Sequence, residues 1–225
     1  RVNNFTKARV SLQIIGRDLT RGILREQLTA FPVDSGATVF RFITQAKESS
    51  TRDLSVIEYY ALDFADTSNH LDLGLWRRSL PLSYTDSLPY NLGTLNFSQF
   101  TSNSSRDDQL GPGILLFRYQ FKQNNGQIVD NFNYNYSNPS LGSNCRLVIV
   151  SLLVLDETAL QQLDATNKTS ALINHFTTGS PAPNELYRER WMGLRQANPV
   201  MNSMPESVRD GIEIFERSYV LHPSL

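Results

Sequence analysis

Side chains able to do covalent or metal chemistry are few in this sequence, and their spacing is unhelpful. Histidine occurs only at His70, His175 and His222. A zinc or iron site needs several convergent ligands, and none of the three has a second His, Cys or carboxylate at ligand spacing. They read as isolated loop or packing residues, so no metal and no cofactor is expected. Asp107 and Asp108 form an adjacent acidic pair in a polar stretch, but calcium loops space their oxygen ligands, and an adjacent pair is more often a solvated surface. There is no Gly-x-Ser-x-Gly elbow for a nucleophilic serine and no glycine-rich phosphate loop. A spatially assembled hydrolase triad is therefore the weakest of three readings, and the chain is expected not to be an enzyme. Cys145 is the single cysteine, which excludes an internal disulfide and a cysteine-rich zinc centre. It falls on an apolar strand pattern, where a lone thiol is usually buried and inert.

Two features could recognise a ligand. Trp76 and Trp191, with the alternating aromatics Phe132, Tyr134 and Tyr136, offer flat apolar area of the kind that stacks on sugars. Set against this, an edge strand with one packed face is the commoner origin of such alternation. Asn-x-Ser/Thr triplets at Asn4, Asn96, Asn103, Asn135 and Asn167 are expected by chance in a chain so rich in Asn, Ser and Thr.

The elements that would position these residues follow from pattern. The chain has 225 residues, 21 Lys+Arg and 22 Asp+Glu, a net charge of −1 and 40% hydrophobic residues. That is enough chain for a real core, and the charge balance argues against nucleic acid as a partner. The longest apolar run, Leu147 to Leu155, is far short of the ~20 residues a spanning helix needs. Phe5, Ala8, Leu12, Ile15, Leu19 and Gly22 or Ile23 recur at three- and four-residue steps, which predicts an amphipathic helix over Asn3 to Gln27. Its other faces are basic, with Lys7, Arg9, Arg17, Arg21 and Arg25 against Asp18 and Glu26. Phe31-Pro32 and Asp34-Ser35-Gly36 then stop it. The chain opens inside this pattern without a capping box, so the helix reads as the second half of a longer one.

Beyond the helix, runs rich in β-branched and aromatic residues predict strands at Thr38–Thr44, Leu54–Phe64, Gly74–Leu80, Ile114–Phe121, Cys145–Leu155 and Gly211–Val220. Leu54–Phe64 is apolar on both alternating faces, so it should be covered on both sides. Ser98–Gly113 and Gln123–Ser143 read as loops. Glu157–Asp164 and Glu185–Gln196 read as short helices, with Thr177–Pro183 as a mobile linker. The expected class is α+β: an N-terminal helix (1–30) packed on a β-rich head (31–225) in one soluble domain.

Three segments in this order resemble a known family. Ala8–Leu19, closing on Arg17-Asp18-Leu19, is similar to the helix of type IV pilin-like proteins, and most of all to that of the J-type minor pseudopilins of type II secretion systems. Leu54–Leu62 (LSVIEYYAL) with Leu75-Trp76-Arg77-Arg78 is similar to that family's aromatic strand and its "L-x-R" strand. Met204–Ile214 is similar to its late "Leu-Pro-x-x-Val-Arg" turn into a closing strand. The resemblance implies a pilin-like head of antiparallel sheets; the loops Gln123–Ser143 and Gly179–Ser203 depart from it, being longer than a compact member needs, so an enlarged variant is expected. It implies a non-enzymatic subunit near the tip of a periplasmic filament, anchored in the inner membrane through an upstream apolar helix. Its partners would be other minor pseudopilins. The contact surface expected on that basis is Phe5, Ala8, Leu12 and Ile15, with Arg9 and Arg17 at its polar margin; packing on the head's own core is the alternative for the same residues, and for Ile15 and Leu19 it weighs at least as much. The competing expectation is a secreted or periplasmic module binding carbohydrate or another small ligand through Trp76 and Trp191.

Overall fold

The structure is a computed structural model that describes residues 2–22, 39–44, 55–61, 73–81, 108–130, 145–196 and 198–221. Its elements are helix α1 (Val2–Thr20), strands β1 (Val39–Thr44), β2 (Ser55–Ala61), β3 (Gly74–Pro81), β4 (Asp108–Pro112), β5 (Ile114–Gln123), β6 (Ile128–Val129) and β7 (Cys145–Val154), helices α2 (Glu157–Ala165), α3 (Thr169–Thr177), α4 (Tyr187–Arg195), α5 (Pro199–Ser203) and α6 (Glu206–Gly211), and strand β8 (Glu213–Val220). The class is α+β, with two antiparallel sheets ordered β1-β2-β3-β4 and β6-β5-β7-β8.

Gly113 is the hinge between the sheets. It adopts φ +84°, donates its N–H to Leu73 O at 3.1 Å and accepts from Leu155 N at 2.8 Å. A Cβ there would lie 2.6 Å from Leu155 O, so only glycine lets β4 end one sheet and β5 begin the other. Just beyond, the register shifts between Ile114 and Leu116. This bulge re-aims the side chains, so that Ile114 and Phe117 enter one core and Leu115 and Leu116 another.

The first core lies between the sheets and α1, where Ala8, Leu12, Ile15 and Leu19 meet Phe40, Phe42, Ile57, Tyr59, Phe117, Tyr119 and alternate residues of β7. The second lies on the other face of the β5-β7-β8 sheet, where α2 to α6 enclose Trp191, Leu163, Leu172 and Phe176. β7 is thus covered on both faces, as is β2, where Ser55 to Tyr60 are all buried. Full burial explains why neither strand has a polar side.

Several expectations are corrected. α1 stops at Thr20, because Arg21 turns and Gly22 bridges to Thr44 of β1; Thr44 Oγ1 donates to Arg21 O at 3.1 Å. The stretch expected as a loop from Ser98 contains β4, and the one from Gln123 contains a tight turn at Gly126 (φ +88°) and β6. Helix α3 was not foreseen. Its apolar residues Leu172, Ile173 and Phe176 form one short stripe that becomes legible only when the second core is seen. The expected mobile linker Thr177–Pro183 is tied down instead. Arg190 Nη2 donates to Thr178 O at 2.6 Å, Glu185 Oε2 accepts from Ala182 N at 2.7 Å, and Asn184 Oδ1 accepts from Ile128 N at 3.0 Å. The breaker residues at 31–36 and the loop aromatics Phe132, Tyr134 and Tyr136 lie outside the described residues.

Candidate functional site

The faces of α1 are committed to different tasks. Its apolar stripe is turned inward: Ala8 and Ile15 are fully buried and Leu12 and Leu19 nearly so. At one flank, Tyr219 of β8 donates its hydroxyl to Leu12 O and its ring lies against Gly16, where a Cβ would sit 2.6 Å from Tyr219 Cε1. At the other flank, Ser11 Oγ donates to Leu110 O of β4 at 3.4 Å. The helix therefore bridges one strand from each sheet.

A buried polar cluster fixes its end. Asp18, 1% exposed, accepts from Arg77 Nε at 2.7 Å and from the Tyr59 hydroxyl at 2.6 Å, both through Oδ2. Arg17 Nε approaches its Oδ1 at 3.5 Å from the solvent side, and Asp108 stands 3.8 Å from Arg77 Nη1. Arg77 and Tyr59 come from adjacent strands and lie on the sheet face that packs against the helix. Burial, and next the Asp18 charge, hold the Tyr59 hydroxyl protonated well above the usual tyrosine range. A carboxylate so enclosed is stable only because it is paired.

With its sole acid drawn inward, α1 shows solvent a face of Arg9, Val10, Gln13, Arg17 and Thr20, with Phe5 at its edge. Phe5 is 57% and Val10 42% exposed, and the Phe5 ring touches that of Phe215 at 6.1 Å. The expected contact surface divides accordingly. Phe5, Arg9 and Arg17 are exposed, while Ala8, Leu12 and Ile15 are filled by the chain's own sheets. Those three pack in the chain's own core, the alternative that the stripe also allowed. A stripe of this spacing seeks whatever apolar surface is nearest, and here the head supplies it.

The remaining candidates are placed as follows. Trp191 is fully buried and donates Nε1–H to Phe176 O at 3.2 Å, so it cannot stack on a sugar; Trp76 is half-buried. His175 lies against the Leu194 carbonyl, Nε2 to O 3.0 Å, and His70 and His222 lie outside the described residues. Asp108 is exposed and faces Arg77; Asp107 is not described. Among the described residues no three potential metal ligands gather, and no helix is long and apolar enough to cross a membrane. Of the Asn-x-Ser/Thr triplets, Asn4 is buried and Asn167 is exposed at a turn with φ 52°; the other three are not described. Cys145 is half-buried on β7, and burial pushes its thiol up to about 12.

Three further constellations escaped sequence reading. On the far face of the first sheet, Glu58 is 3% exposed and is clasped by Arg41 Nε and by Arg78 Nη1, the latter at 3.6 Å, with Arg78 also 4.1 Å over the Tyr60 ring. In the second sheet, Gln120 donates to Asp130 Oδ1 and Glu185 O, both at 3.0 Å, and accepts from Tyr187 N at 3.1 Å, joining β5 to α4. Ser151 donates to Glu216 Oε2 at 3.1 Å, and burial raises the Glu216 carboxyl. Only the strand-alternate placing of Arg41, Glu58 and Arg78 had a readable trace, as opposite charges on neighbouring strands.

No family model matches the chain, and no curated protein matches it.

Proposed function

We propose that the chain is a non-enzymatic, pilin-like assembly subunit of the minor pseudopilin kind, closest to the J-type. Its partners would be other pilin-like subunits in a periplasmic filament, met through the outward face of α1. The observation that carries this reading is the Asp18–Tyr59–Arg77 cluster. Those residues come from three separate segments that each resemble the pseudopilins: the Arg-Asp-Leu step, the aromatic strand and the "L-x-R" strand. Their meeting gives the resemblance a physical cause, since each motif supplies one member of the lock that holds the helix on the head. The lock also leaves Phe5, Arg9, Val10 and Arg17 outside, where a helix that packs in an assembly needs free side chains. The alternative ligand-binding module loses one of its two stacking tryptophans to the core.

The test is a pull-down of this chain against the pilin-like proteins encoded beside its gene, repeated with Val10→Glu and Arg9→Glu. Both positions are exposed, so circular dichroism should stay unchanged. Binding that these changes abolish supports the reading. Failure to bind any such protein, or binding indifferent to both changes, sinks it.

A further inference from the structure

Among the described residues, strand β8 presents an open edge. It hydrogen-bonds to β7 on one side, and on the other its main-chain donors and acceptors have no partner among the described residues. An eight-residue edge of this kind is a template for another strand. Glu213, Phe215 and Arg217 alternate onto the face shared with α1, and Phe215 lies half-buried beside the exposed Phe5. Neither Glu213 nor Arg217 has an ion-pair partner among the described residues; Arg217 only overlies the Tyr219 ring at 5.5 Å.

We infer that this edge pairs antiparallel with the β8 edge of a second copy of the chain, about a two-fold axis midway between Phe215 and its own image. The charges choose the occupant and the register. A two-fold axis perpendicular to the sheet keeps faces matched, so it must lie midway between a residue and its own image. Centred on Phe215, it sets Glu213 opposite the Arg217 of the other copy, twice, with the two Phe215 rings meeting between and Phe5 flanking them. Centred on Glu216 or Arg217, it sets like charges face to face. Opposite charges directly across a strand pair stabilise it and like charges oppose it. Such pairing turns the two α1 helices antiparallel, so it is independent of the assembly reading, in which subunits share one direction.

The test is sedimentation equilibrium of the full chain over a wide concentration range. The wild type is expected to show a monomer–dimer equilibrium. Arg217→Glu alone, or Glu213→Arg alone, should weaken the dimer roughly tenfold or more, because two attractive pairs become two repulsive ones. The double swap Glu213→Arg/Arg217→Glu should restore it. Arg217 is exposed and Glu213 half-buried, and circular dichroism checks that each variant keeps its fold. A wild type that stays monomeric throughout, a dimer indifferent to the single changes, or a double swap that stays as weak as the singles overturns the inference.

Discussion

Replacing Asp18 by alanine removes the acceptor of two hydrogen bonds and the counter-charge of a guanidinium that is almost wholly out of water. The Asp18 and Arg77 side chains are 2% and 9% exposed, so water cannot take over the carboxylate's role. Asp108, 71% exposed and 3.8 Å from Arg77, is a weak substitute. Removing the carboxylate of a buried ion pair costs about 3–5 kcal/mol, and the Tyr59 hydroxyl loses its acceptor as well. Asp18→Asn keeps an oxygen for one of the two donors and should cost roughly half as much. In urea unfolding, a slope of roughly 2–3 kcal/mol/M for a chain of this size turns the alanine loss into a midpoint shift of roughly 1–2 M. The control is Arg17→Ala, whose side chain is 56% exposed at 3.5 Å from Asp18; a solvated pair contributes little, so its midpoint should hardly move. The double variant Asp18→Ala/Arg77→Met should be more stable than the sum of its singles predicts, because each single change breaks the same pair. An Asp18→Ala midpoint indistinguishable from that of Arg17→Ala would refute the claim that this cluster locks the helix.

Other consequences are equally direct. Gly16→Ala should destabilise by about 1–3 kcal/mol through the clash with Tyr219, although in an exposed helix the same change stabilises by about 1 kcal/mol; the sign of the shift in thermal unfolding decides. Burial raises the hydroxyls of Tyr59, Tyr187 and Tyr219 above their ordinary 10.0 and the Cys145 thiol from 9.0 to about 12. The folded state thus holds these protons more tightly than the unfolded one, so their contribution to stability should be level up to about pH 9 and fall as pH rises further, less steeply in Tyr219→Phe. For the same reason Cys145 should resist thiol reagents at pH 8 until denaturant is added. Gln120→Leu should leave Tyr187 N–H and Glu185 C=O without their partners, cost about 1–3 kcal/mol, and speed amide exchange at Tyr187.

What sequence alone determined was whatever rests on local period. The helix stripe, six strands and two of the short helices fall where three-, four- and two-residue repeats place them, because those repeats state which side of an element is apolar. The same repeats cannot say what covers that side. Ala8, Leu12 and Ile15 suit a neighbouring subunit or the chain's own sheets equally well, and only the tertiary structure showed that the sheets take them. Nor could spacing reveal that Asp18, Tyr59 and Arg77 would meet, since contacts across 41 and 59 positions depend on sheet register and on how the helix lies over it. The short β4 and β6, the helix α3 and the anchored Thr177–Pro183 segment escaped for a related reason. Each is held by partners distant in sequence: β4 and Thr177–Pro183 carry Gly and Pro, which prefer turns, while β6 and α3 are too short for their own period to show until those partners are in place.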